Sequence, residues 1–386
     1  MRILIANDLH WPMIVGVATS TRTLAIELSR NGHEVLVLAP SRKGHGRNEI
    51  DSNYTITRVK SVAIPFQQNL RLSLSLERRL TKEIKEFKPD LVHIHTQFSI
   101  GLGAMYVAHK MGIPIVATNH VLPDNIVKNV MLLTPISGLF NKLFTRYGIL
   151  LYKDADHIIM PTQSAIDMFN TSSIKSPITP ISNGIDLDRF YPHEPDEKVF
   201  EKFNIPKKPI ISYVGRVDGE KEIDTLVWAA ELIRQAHDAH FLIVGGGSMV
   251  NELKRLARRL GVFQNFTFTG RVSDDDLEEL QNISSIFIMT SPAELQSLAT
   301  LEAMACETPV IAVDAGALSE ICQDGVNGFL IEPQDFQTLA ARAIELLDNK
   351  KKMEKFAKAS LEISQKHNIK NVVKEFEEVY QTTINR

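Results

Sequence analysis

Cysteine is almost absent from this chain: its 386 residues include two, Cys306 and Cys322. Two thiols are too few for a disulfide framework or for a thiolate metal site. Such low use of cysteine fits a reducing compartment, so we expect a cytoplasmic protein. The sequence also has no run of about 18 apolar residues, which argues against a membrane-spanning helix.

A secretory signal peptide is not expected either. The first residues, MRILIANDLHW, form an apolar run broken at Asn7 and Asp8, without a small-residue cleavage site. This start is typical of a first β-strand. Internal repeats and low-complexity segments are absent. No module combines aromatic and basic residues, so we expect no nucleic-acid partner.

The net charge of −3 hides an uneven distribution along the chain. Residues 1–190 carry 21 Lys and Arg against 15 Asp and Glu, whereas residues 191–386 carry 22 against 31. A basic first half suggests that this half faces an anionic surface. An uneven spread of solvated charges explains the same numbers.

The first half alternates β-branched runs with amphipathic helical patterns. The predicted strands are Arg2–Ala6, Glu34–Ala39, Leu91–His95, Ile113–Thr118 and His157–Met160. The predicted helices are Thr19–Arg30, Leu76–Phe87 and Leu102–Lys110. Strands separated by helices predict a parallel sheet that is covered on both faces.

A stretch rich in Gly, Pro and acidic residues, from Ser182 to Pro195, interrupts this alternation and predicts a linker. The alternation then resumes, with predicted strands at Ile210–Val214, His240–Val244, Asn265–Thr269, Ser285–Thr290 and Pro309–Val313. We therefore expect an α/β protein with two doubly wound, Rossmann-like domains in series. Ligands of such domains bind at the carboxyl ends of the strands, and a two-part substrate suits a cleft between domains.

The stretch YVGRVDGEKEIDTL places Arg216 and Lys221 in the turn after a predicted strand. Arg offers a planar fork of donors and Lys a point charge, so the two together suit a diphosphate. A solvated turn is the alternative. The next glycine-rich loop, in FLIVGGGSMVNEL, has Val250 where a dinucleotide fingerprint needs its third glycine. It is therefore weak support for a nicotinamide cofactor.

The stretch SPAELQSLATLEAMACETPVIA contains a predicted helix start. Ser297 can cap a helix that begins at about Leu298. A helix start with free amides binds phosphate. The amides predicted to be free are those of Leu298, Ala299 and Thr300.

Two glutamates flank this helix start: Glu294 in the preceding loop and Glu302 in the second helical turn. Ionised carboxylates accept hydrogen bonds, so both could bind sugar hydroxyls on either side of a phosphate. One would face the transferred group and the other the nucleoside. A buried glutamate pair that binds backbone amides is the alternative.

Five stretches together resemble glycosyltransferase family 4, the retaining nucleotide-sugar transferases of GT-B fold. They are YVGRVDGEKEIDTL, TFTGRVSDDDL, SPAELQSLATLEAMACETPVIAVDAGALSEI, DGVNGFL and ISNGIDLDRFYP. The resemblance extends over essentially the whole chain and is strongest from Ile181 to Pro333. It implies an acceptor domain at residues 1–190, a donor domain at residues 191–365, and a C-terminal helix at residues 366–386 that crosses back to the first domain.

The resemblance also implies roles in the donor domain. Arg216 and Lys221 would bind the donor diphosphate and neutralise the leaving group. Val272 would hold the base through its backbone. Glu294 would contact the transferred sugar, and Glu302 the ribose hydroxyls.

In the first domain, Gly16 of PMIVGVATSTRTLA matches the family loop whose backbone approaches the donor phosphate. His120 of VATNHVLPDN matches the active-site histidine near the transferred sugar. The chain departs from the family pattern at two places. Val15 precedes Gly16 where many relatives have a second glycine, and Leu295-Gln296-Ser297 replaces Gly-Phe-Gly after Glu294.

For retaining members the family mechanism is described as front-face, with the departing phosphate taking the acceptor's proton. A double displacement would need a carboxylate nucleophile beside the anomeric carbon. Glu294 is the candidate for this role, and we expect that it does not act as the nucleophile. Two Asp-x-Asp strings, at Asp154–Asp156 and Asp186–Asp188, match the metal motif of the other common glycosyltransferase architecture. Neither lies in a donor loop, so we expect no essential metal and no cofactor beyond the nucleotide-sugar substrate.

Residues 125–153 carry four basic side chains and no acidic one. From Ile136 the apolar positions follow a helical stripe, with Lys142 and Arg146 on the opposite face. Such a segment suits the interface of an anionic membrane, and a helix packed on its own domain is the alternative. The stretches HIHTQFSIGLGA and TNHVLPDN resemble the branch of the family that glycosylates diacylglycerol or related lipids.

We therefore expect a cytoplasmic enzyme, peripheral at the inner face of the cell membrane, that moves a hexose from UDP-glucose or a similar donor to a lipid. A transferase with a soluble or polysaccharide acceptor is the second hypothesis. A sugar-nucleotide epimerase, which needs no acceptor, and a non-catalytic nucleotide-sugar binder are hypotheses from other classes. The intact charges at Arg216, Lys221, Glu294 and Glu302 argue against the binder.

Overall fold

The computed structural model of the chain describes residues 1–13, 15–41, 47–64, 71–73, 76–120, 152–169 and 174–386. These residues form two compact units. The described parts of residues 1–184 form the first unit together with Ile369–Arg386. The second unit contains Ile185–Asn368.

The first unit contains an eight-stranded sheet and a separate two-stranded sheet. Its described strands are β1 (Arg2–Ala6), β2 (Glu34–Pro40), β3 (Arg47–Asp51), β4 (Tyr54–Val59), β5 (Ser61–Ala63), β6 (Arg71–Ser73), β7 (Leu91–Ile94), β8 (Ile115–Thr118), β9 (His157–Met160) and β10 (Ile178–Pro180). The large sheet has the order β10-β9-β8-β7-β1-β2-β4-β3, and β5 pairs with β6. All neighbours in the large sheet are parallel except β3 and β4. The strand order reverses between β1 and β7, which is where ligands of doubly wound sheets bind.

Helices α1 (Gly16–Arg30), α2 (Leu76–Phe87), α3 (Ser99–Met111) and α4 (Gln163–Met168) follow strands of the first unit. Asp8, directly after β1, fixes the start of α3. Its carboxylate accepts hydrogen bonds from the amides of Ile100 at 2.8 Å and Gly101 at 3.1 Å. A carboxylate at a helix start satisfies free amides and complements the helix dipole. The switch-point end of β1 is thereby tied to α3.

The second unit has a six-stranded sheet in which all pairs are parallel. Its strands are β11 (Ile210–Val214), β12 (His240–Val244), β13 (Phe266–Gly270), β14 (Ile286–Met289), β15 (Val310–Val313) and β16 (Gly328–Ile331). The order is β13-β12-β11-β14-β15-β16, so the reversal lies between β11 and β14. Both of these strands are buried along their whole length, as expected for a parallel sheet with helices on both faces.

The helices of the second unit are α5 (Lys198–Phe203), α6 (Asp224–Ala236), α7 (Val250–Arg259), α8 (Asp274–Asn282), α9 (Leu298–Ala305), α10 (Phe336–Asp348) and α11 (Lys350–Gln365). The last helix, α12 (Ile369–Ile384), belongs to the first unit. Its buried residues Val373, Phe376 and Tyr380 join the core around Ile3 and Ile5 of β1. The core of the first unit therefore combines the two ends of the described chain.

Each predicted strand coincides with a strand of the structure to within two residues at either end, and the predicted Rossmann-like architecture is confirmed. The prediction overlooked several short strands, namely β3, β4, β5, β6, β10 and β16. Most of them lie at sheet edges or in the small hairpin, where apolar runs are short.

Gly184 packs against Ile369, the first residue of α12, so a substitution at Gly184 tests how tightly this helix is held. Its φ of +71° is left-handed, and an added Cβ would lie 2.6 Å from Ile369 Cδ1 and 3.2 Å from Ile369 Cα. Gly112 has a φ of +66° with no atom within 4 Å of an added Cβ. We expect Gly112→Ala to lower the free energy of unfolding by about 1 kcal/mol through backbone strain alone, and Gly184→Ala by about 2–4 kcal/mol because crowding is added. Urea unfolding of both variants measures the difference, and equal losses would show that α12 yields without cost.

Candidate active site

Two loops of the second unit meet where its strand order reverses. Lys221, in the loop after β11, places its Nζ 2.6 Å from Oε1 of Glu294, in the loop after β14. Thr290 donates a hydrogen bond of 2.7 Å from its hydroxyl to the carbonyl of Lys221. The two ionic side chains are 15% and 13% exposed, so this charge-assisted bond is only weakly screened by water. The sequence predicted both residues, and the structure brings them into direct contact.

A third loop holds the backbone of Glu294. The amide of Ala317 donates to the Glu294 carbonyl at 2.8 Å. Gly316, with a φ of +61°, passes so close that an added Cβ would lie 2.6 Å from the same carbonyl oxygen. Both residues lie in the quoted stretch that ends in VDAGALSEI, but the sequence alone did not single them out. The position of Glu294 therefore depends on a glycine in the loop after β15.

Arg216 is held by two acidic residues of its own loop. One nitrogen of its guanidinium bonds Asp218 Oδ2 at 2.7 Å, and the other bonds Oε1 of Glu220. The buried hydroxyl of Tyr213 donates to the Arg216 carbonyl at 2.9 Å. The Arg216 side chain is 40% exposed, whereas that of Glu220 is 1% exposed. The loop is thus a structured clamp that leaves the Arg216 side chain partly exposed. The sequence analysis missed both acidic residues.

Asp218 is itself fixed by the glycine-rich loop after β12. Its Oδ1 accepts from the Ser248 amide at 2.8 Å and from the Ser248 hydroxyl at 2.9 Å. Burial raises the pKa of Asp218, but the bonds from Ser248 and the Arg216 charge outweigh it, so the pKa lies below its ordinary value. An added Cβ at Gly247 would lie 2.2 Å from the Val217 carbonyl oxygen. The absence of a side chain at Gly247 therefore lets the backbone at Val217 approach closely.

The predicted cap of α9 is present. Ser297 Oγ accepts from the Thr300 amide at 3.3 Å and from the Thr300 hydroxyl at 2.8 Å. The expectation that the Thr300 amide is free was therefore wrong, because the cap itself uses that donor. Leu298 and Ala299 are the first two residues of α9 and are partly buried.

Glu302 lies in α9 and is 7% exposed. Burial raises its pKa to about 7, and this rise is opposed by the nearby charge of Arg189 and by a hydrogen bond to Gln281. A group with this pKa is about half protonated at neutral pH, so it both donates and accepts hydrogen bonds. The sequence analysis had treated Glu302 as an ionised acceptor.

Replacing Glu302 by Gln tests this burial. The folded protein favours the protonated form, so the wild type loses stability as pH rises from 4.5 to about 7. The difference in pKa corresponds to about 3 kcal/mol. We expect Glu302→Gln to be close to wild type below pH 4.5 and more stable by up to this amount at pH 8.

Urea unfolding at pH 4.2 and pH 8 measures the effect. Glu332→Gln, which changes an exposed glutamate of the same unit, is the control and should show no pH-dependent difference. A Glu302→Gln difference that is equal at both pH values would contradict the buried, protonated state.

The remaining predicted residues lie apart from this cluster in the chain. Val272 follows β13, between Gly270 and the Ser273 cap of α8, and packs against the core of the second unit. Gly16 is the first residue of α1, and no described atom lies within 4 Å of an added Cβ there. Neither its backbone angle nor its packing therefore demands glycine.

His120 follows β8 in the first unit, and its Nε2 lies 3.0 Å from Nδ1 of His95. The two rings are stacked, with centroids 5.2 Å apart. Burial lowers the pKa of His120 to about 4, so its imidazole is neutral at pH 7. The sequence analysis did not identify His95, which lies after the neighbouring strand β7.

The first Asp-x-Asp string has a structural contact. Asp156 Oδ2 accepts from the Ile115 amide at 2.8 Å, at the amino end of β8, which is the opposite edge from the ligand-binding ends of the strands. In the second string, Asp186 Oδ1 accepts from the Asp188 amide at 3.0 Å. In the described part of the chain, no three His, Cys, Asp or Glu side chains are grouped to hold a metal ion. The expectation of a metal-free reaction stays a prediction.

Residues 125–151 of the predicted membrane-facing segment lie outside the described residues. Tyr152 is buried and Lys153 is exposed. Within the described ranges, none of the helices has the length and hydropathy needed to cross a bilayer.

Comparisons with known proteins identify the family of both units. Residues 14–189 match the model described as Glycosyltransferase Family 4, and residues 195–362 match the model described as Glycosyl transferases group 1. The chain is 29% identical over 337 residues to an alpha-monoglucosyldiacylglycerol synthase of Streptococcus pneumoniae, which covers 86% of this chain and 75% of the relative. It is 25% identical over 363 residues to a GDP-mannose-dependent alpha-mannosyltransferase of Corynebacterium glutamicum, which covers 93% and 84%, respectively.

The fold has a counterpart among solved structures. Anabaena Alr3699/HepE, solved in complex with UDP-glucose, aligns with a TM-score of 0.78 at 20% sequence identity, over 99% of this chain and 100% of that chain. The resemblance inferred from the sequence is thus confirmed. The chain belongs to the family 4 glycosyltransferases and has their GT-B fold of two Rossmann-like domains.

Proposed function

We propose that this protein is a retaining hexosyltransferase that moves a sugar from a nucleotide-sugar to diacylglycerol or a related lipid. The observation that carries the proposal is the contact of Lys221 with Glu294 at the point where the second sheet reverses its strand order. This arrangement puts a cation for a phosphate and a carboxylate for a sugar within one ligand length. The Streptococcus relative, named alpha-monoglucosyldiacylglycerol synthase, supports the lipid acceptor and the glucosyl group.

The donor diphosphate exchanges partners with Lys221 in this proposal. In the structure, Glu294 neutralises Lys221. An incoming diphosphate attracts the ammonium, and the released Glu294 carboxylate then accepts hydrogen bonds from hydroxyls of the transferred sugar. The partly exposed side chain of Arg216 and the first amides of α9, at Leu298 and Ala299, add donors for the phosphate oxygens.

Bond breaking between the sugar and the diphosphate moves negative charge onto the leaving group. Lys221, Arg216 and the capped start of α9 stabilise that charge. The acceptor hydroxyl attacks from the face that the diphosphate leaves and gives its proton to a departing phosphate oxygen. Neutral His120 hydrogen-bonds the transferred sugar, and Glu294 orients the sugar without forming a bond to it.

The nucleoside occupies the other side of the phosphate site. Val272 holds the base through its backbone, and half-protonated Glu302 bonds the ribose hydroxyls. Gly16, the first residue of α1, offers its backbone to the donor phosphate in this proposal.

Neither a metal ion nor a cofactor takes part in the proposed reaction. The rate of transfer measured in excess EDTA should therefore equal the rate measured in the absence of EDTA.

The acceptor is presented by a membrane surface. Residues 125–153 carry four basic side chains and no acidic one, which suits the anionic inner face of a cell membrane. The Corynebacterium relative, a GDP-mannose-dependent alpha-mannosyltransferase, favours a second candidate in which mannose is the transferred sugar. The test must therefore offer both donor classes.

Mass spectrometry of lipids tests the proposal after incubation of the protein with pooled UDP- and GDP-sugars. Liposomes of diacylglycerol and anionic phospholipid supply the acceptor. We expect a hexose on diacylglycerol, and Glu294→Gln should lower kcat/KM by about 100-fold because the sugar contact is lost. Glu332→Gln is the matched control and should stay within about two-fold of wild type.

Other outcomes would separate the alternatives. Slow hydrolysis of the donor with unmodified lipids would refute the lipid acceptor and point to a soluble one. Conversion of one nucleotide-sugar into its epimer without any acceptor would replace the transferase by an epimerase. Binding of a donor without turnover would leave a non-catalytic nucleotide-sugar binder.

A further inference from the structure

We propose that Tyr380 and His95 are positioning residues that hold the imidazole proton of His120 on Nε2 and leave its Nδ1 bare as an acceptor for the substrate. The inference deepens the proposed function and rests on it for the place of His120 beside the transferred sugar. It assigns a role to a helix that begins 249 residues after His120.

A continuous chain of hydrogen bonds connects these side chains inside the first unit. Tyr380 Oη lies 2.7 Å from His93 Nδ1, and the same nitrogen lies 3.2 Å from His95 Nε2. His95 Nδ1 then lies 3.0 Å from His120 Nε2. The other ring nitrogen of His93, Nε2, lies 2.7 Å from the Thr118 hydroxyl. The chain thus runs from α12 through β7 to the residue after β8.

The three histidines are neutral at physiological pH. Burial lowers the pKa of His93 to about 3 and that of His120 to about 4, and it holds the pKa of His95 well below its ordinary value. Each ring therefore carries one proton, on one of its two nitrogens. Because neighbouring rings face each other through single nitrogens, the proton position on one ring determines the position on the next.

Tyr380 determines which atoms donate and which accept in this series of hydrogen bonds. Its hydroxyl is fully buried, and burial holds its pKa well above the ordinary value, so it keeps its proton. Among the described residues the partner of this hydroxyl is His93 Nδ1, which must then be the acceptor. His93 consequently carries its proton on Nε2 and donates it to Thr118.

The same choice propagates to His120. The single lone pair of His93 Nδ1 is shared between Tyr380 Oη at 2.7 Å and the longer contact to His95 Nε2 at 3.2 Å. Because two bare nitrogens facing each other would repel, His95 carries its proton on Nε2, and its bare Nδ1 in turn accepts from His120 Nε2. The opposite arrangement would leave the buried Tyr380 proton without an acceptor, which costs about 1–3 kcal/mol. The remaining nitrogen of His120, Nδ1, has no partner among the described residues and is left as an acceptor.

The bare Nδ1 fixes which hydrogen-bonding role a sugar hydroxyl takes beside the neutral imidazole of His120. With Nδ1 bare, His120 accepts from a hydroxyl of the transferred sugar and so fixes the direction of that O–H. A protonated Nδ1 would instead donate to the hydroxyl oxygen and leave the hydroxyl hydrogen free to rotate. The buried chain thus prepares the ring before the substrate arrives.

Nitrogen-15 NMR of the full chain, labelled at its histidines, tests the proton position directly. The His120 signals are assigned by their loss in His120→Ala. We expect a bare Nδ1 and a protonated Nε2 in the wild type at pH 7. Tyr380→Phe removes a single oxygen from the core, so a measurable fraction of His120 should move its proton to Nδ1.

Tyr54→Phe is the matched control. Tyr54 is another buried tyrosine of the first unit, but its hydroxyl bonds Asp51 at 2.9 Å and lies 3.1 Å from His10. Among the described residues, no hydrogen bond connects Asp51 or His10 to the side chains that link Tyr380 to His120. It should leave the His120 signals unchanged. A wild-type His120 with its proton on Nδ1, or Tyr380→Phe signals identical to wild type, would overturn the proposal.

Kinetics separate this proposal from the proposed function. We expect Tyr380→Phe to lower kcat by about 10-fold with donor KM within about two-fold, because proton placement and not binding is lost. If His120→Ala keeps full glycosyl transfer, the catalytic place of His120 is refuted whatever the NMR shows. If His120→Ala is inactive while Tyr380→Phe leaves both tautomer and kcat unchanged, the proposed function stands and the positioning role falls.

Discussion

The ion pair of Lys221 and Glu294 is the constraint on which the candidate site depends. It ties the loop after β11 to the loop after β14, and Gly316 and Ala317 tie the loop after β15 to the same glutamate. Arg216 is neutralised by acidic neighbours in the same way. Each of these two cations is therefore compensated by carboxylates, and a single phosphate must compete with carboxylates for either one. A ligand with a diphosphate and a sugar compensates both the cations and the carboxylates that they release.

Most of the framework could be predicted from the sequence because buried parallel strands are continuous apolar runs. The strands β11 and β14 were predicted in this way. The loops that follow these two strands were predicted from the spacing of their charged residues. What could not be predicted is which charges pair. Asp218 and Glu220 follow Arg216 closely, but nothing in their spacing shows that both turn back to the guanidinium. The Thr300 amide shows a similar limit, since a correctly predicted cap used one of the donors expected to be free.

Contacts between residues that are far apart in the sequence could not be predicted for a different reason. His95 and His120 are 25 residues apart and meet because β7 and β8 are neighbours in the sheet. Tyr380 reaches His93 over 287 residues. Periodicity gives the strands and helices but not the partner of a polar side chain at their ends. The fold is therefore more visible in this sequence than the chemistry of its buried histidines.

The placement of α12 has a consequence for how the protein is made. The core of the first unit needs Phe376 and Tyr380 beside β1, yet these residues are translated after the whole of Ile185–Asn368. Once the ribosome has added Asn368, the second unit has its complete sequence available for folding, but the first unit still lacks α12, which forms part of its core. The amino-terminal unit should thus finish folding last, against the usual order of synthesis. Nascent chains would expose the apolar surface around Ile3 and Ile5 until α12 has been translated and has docked.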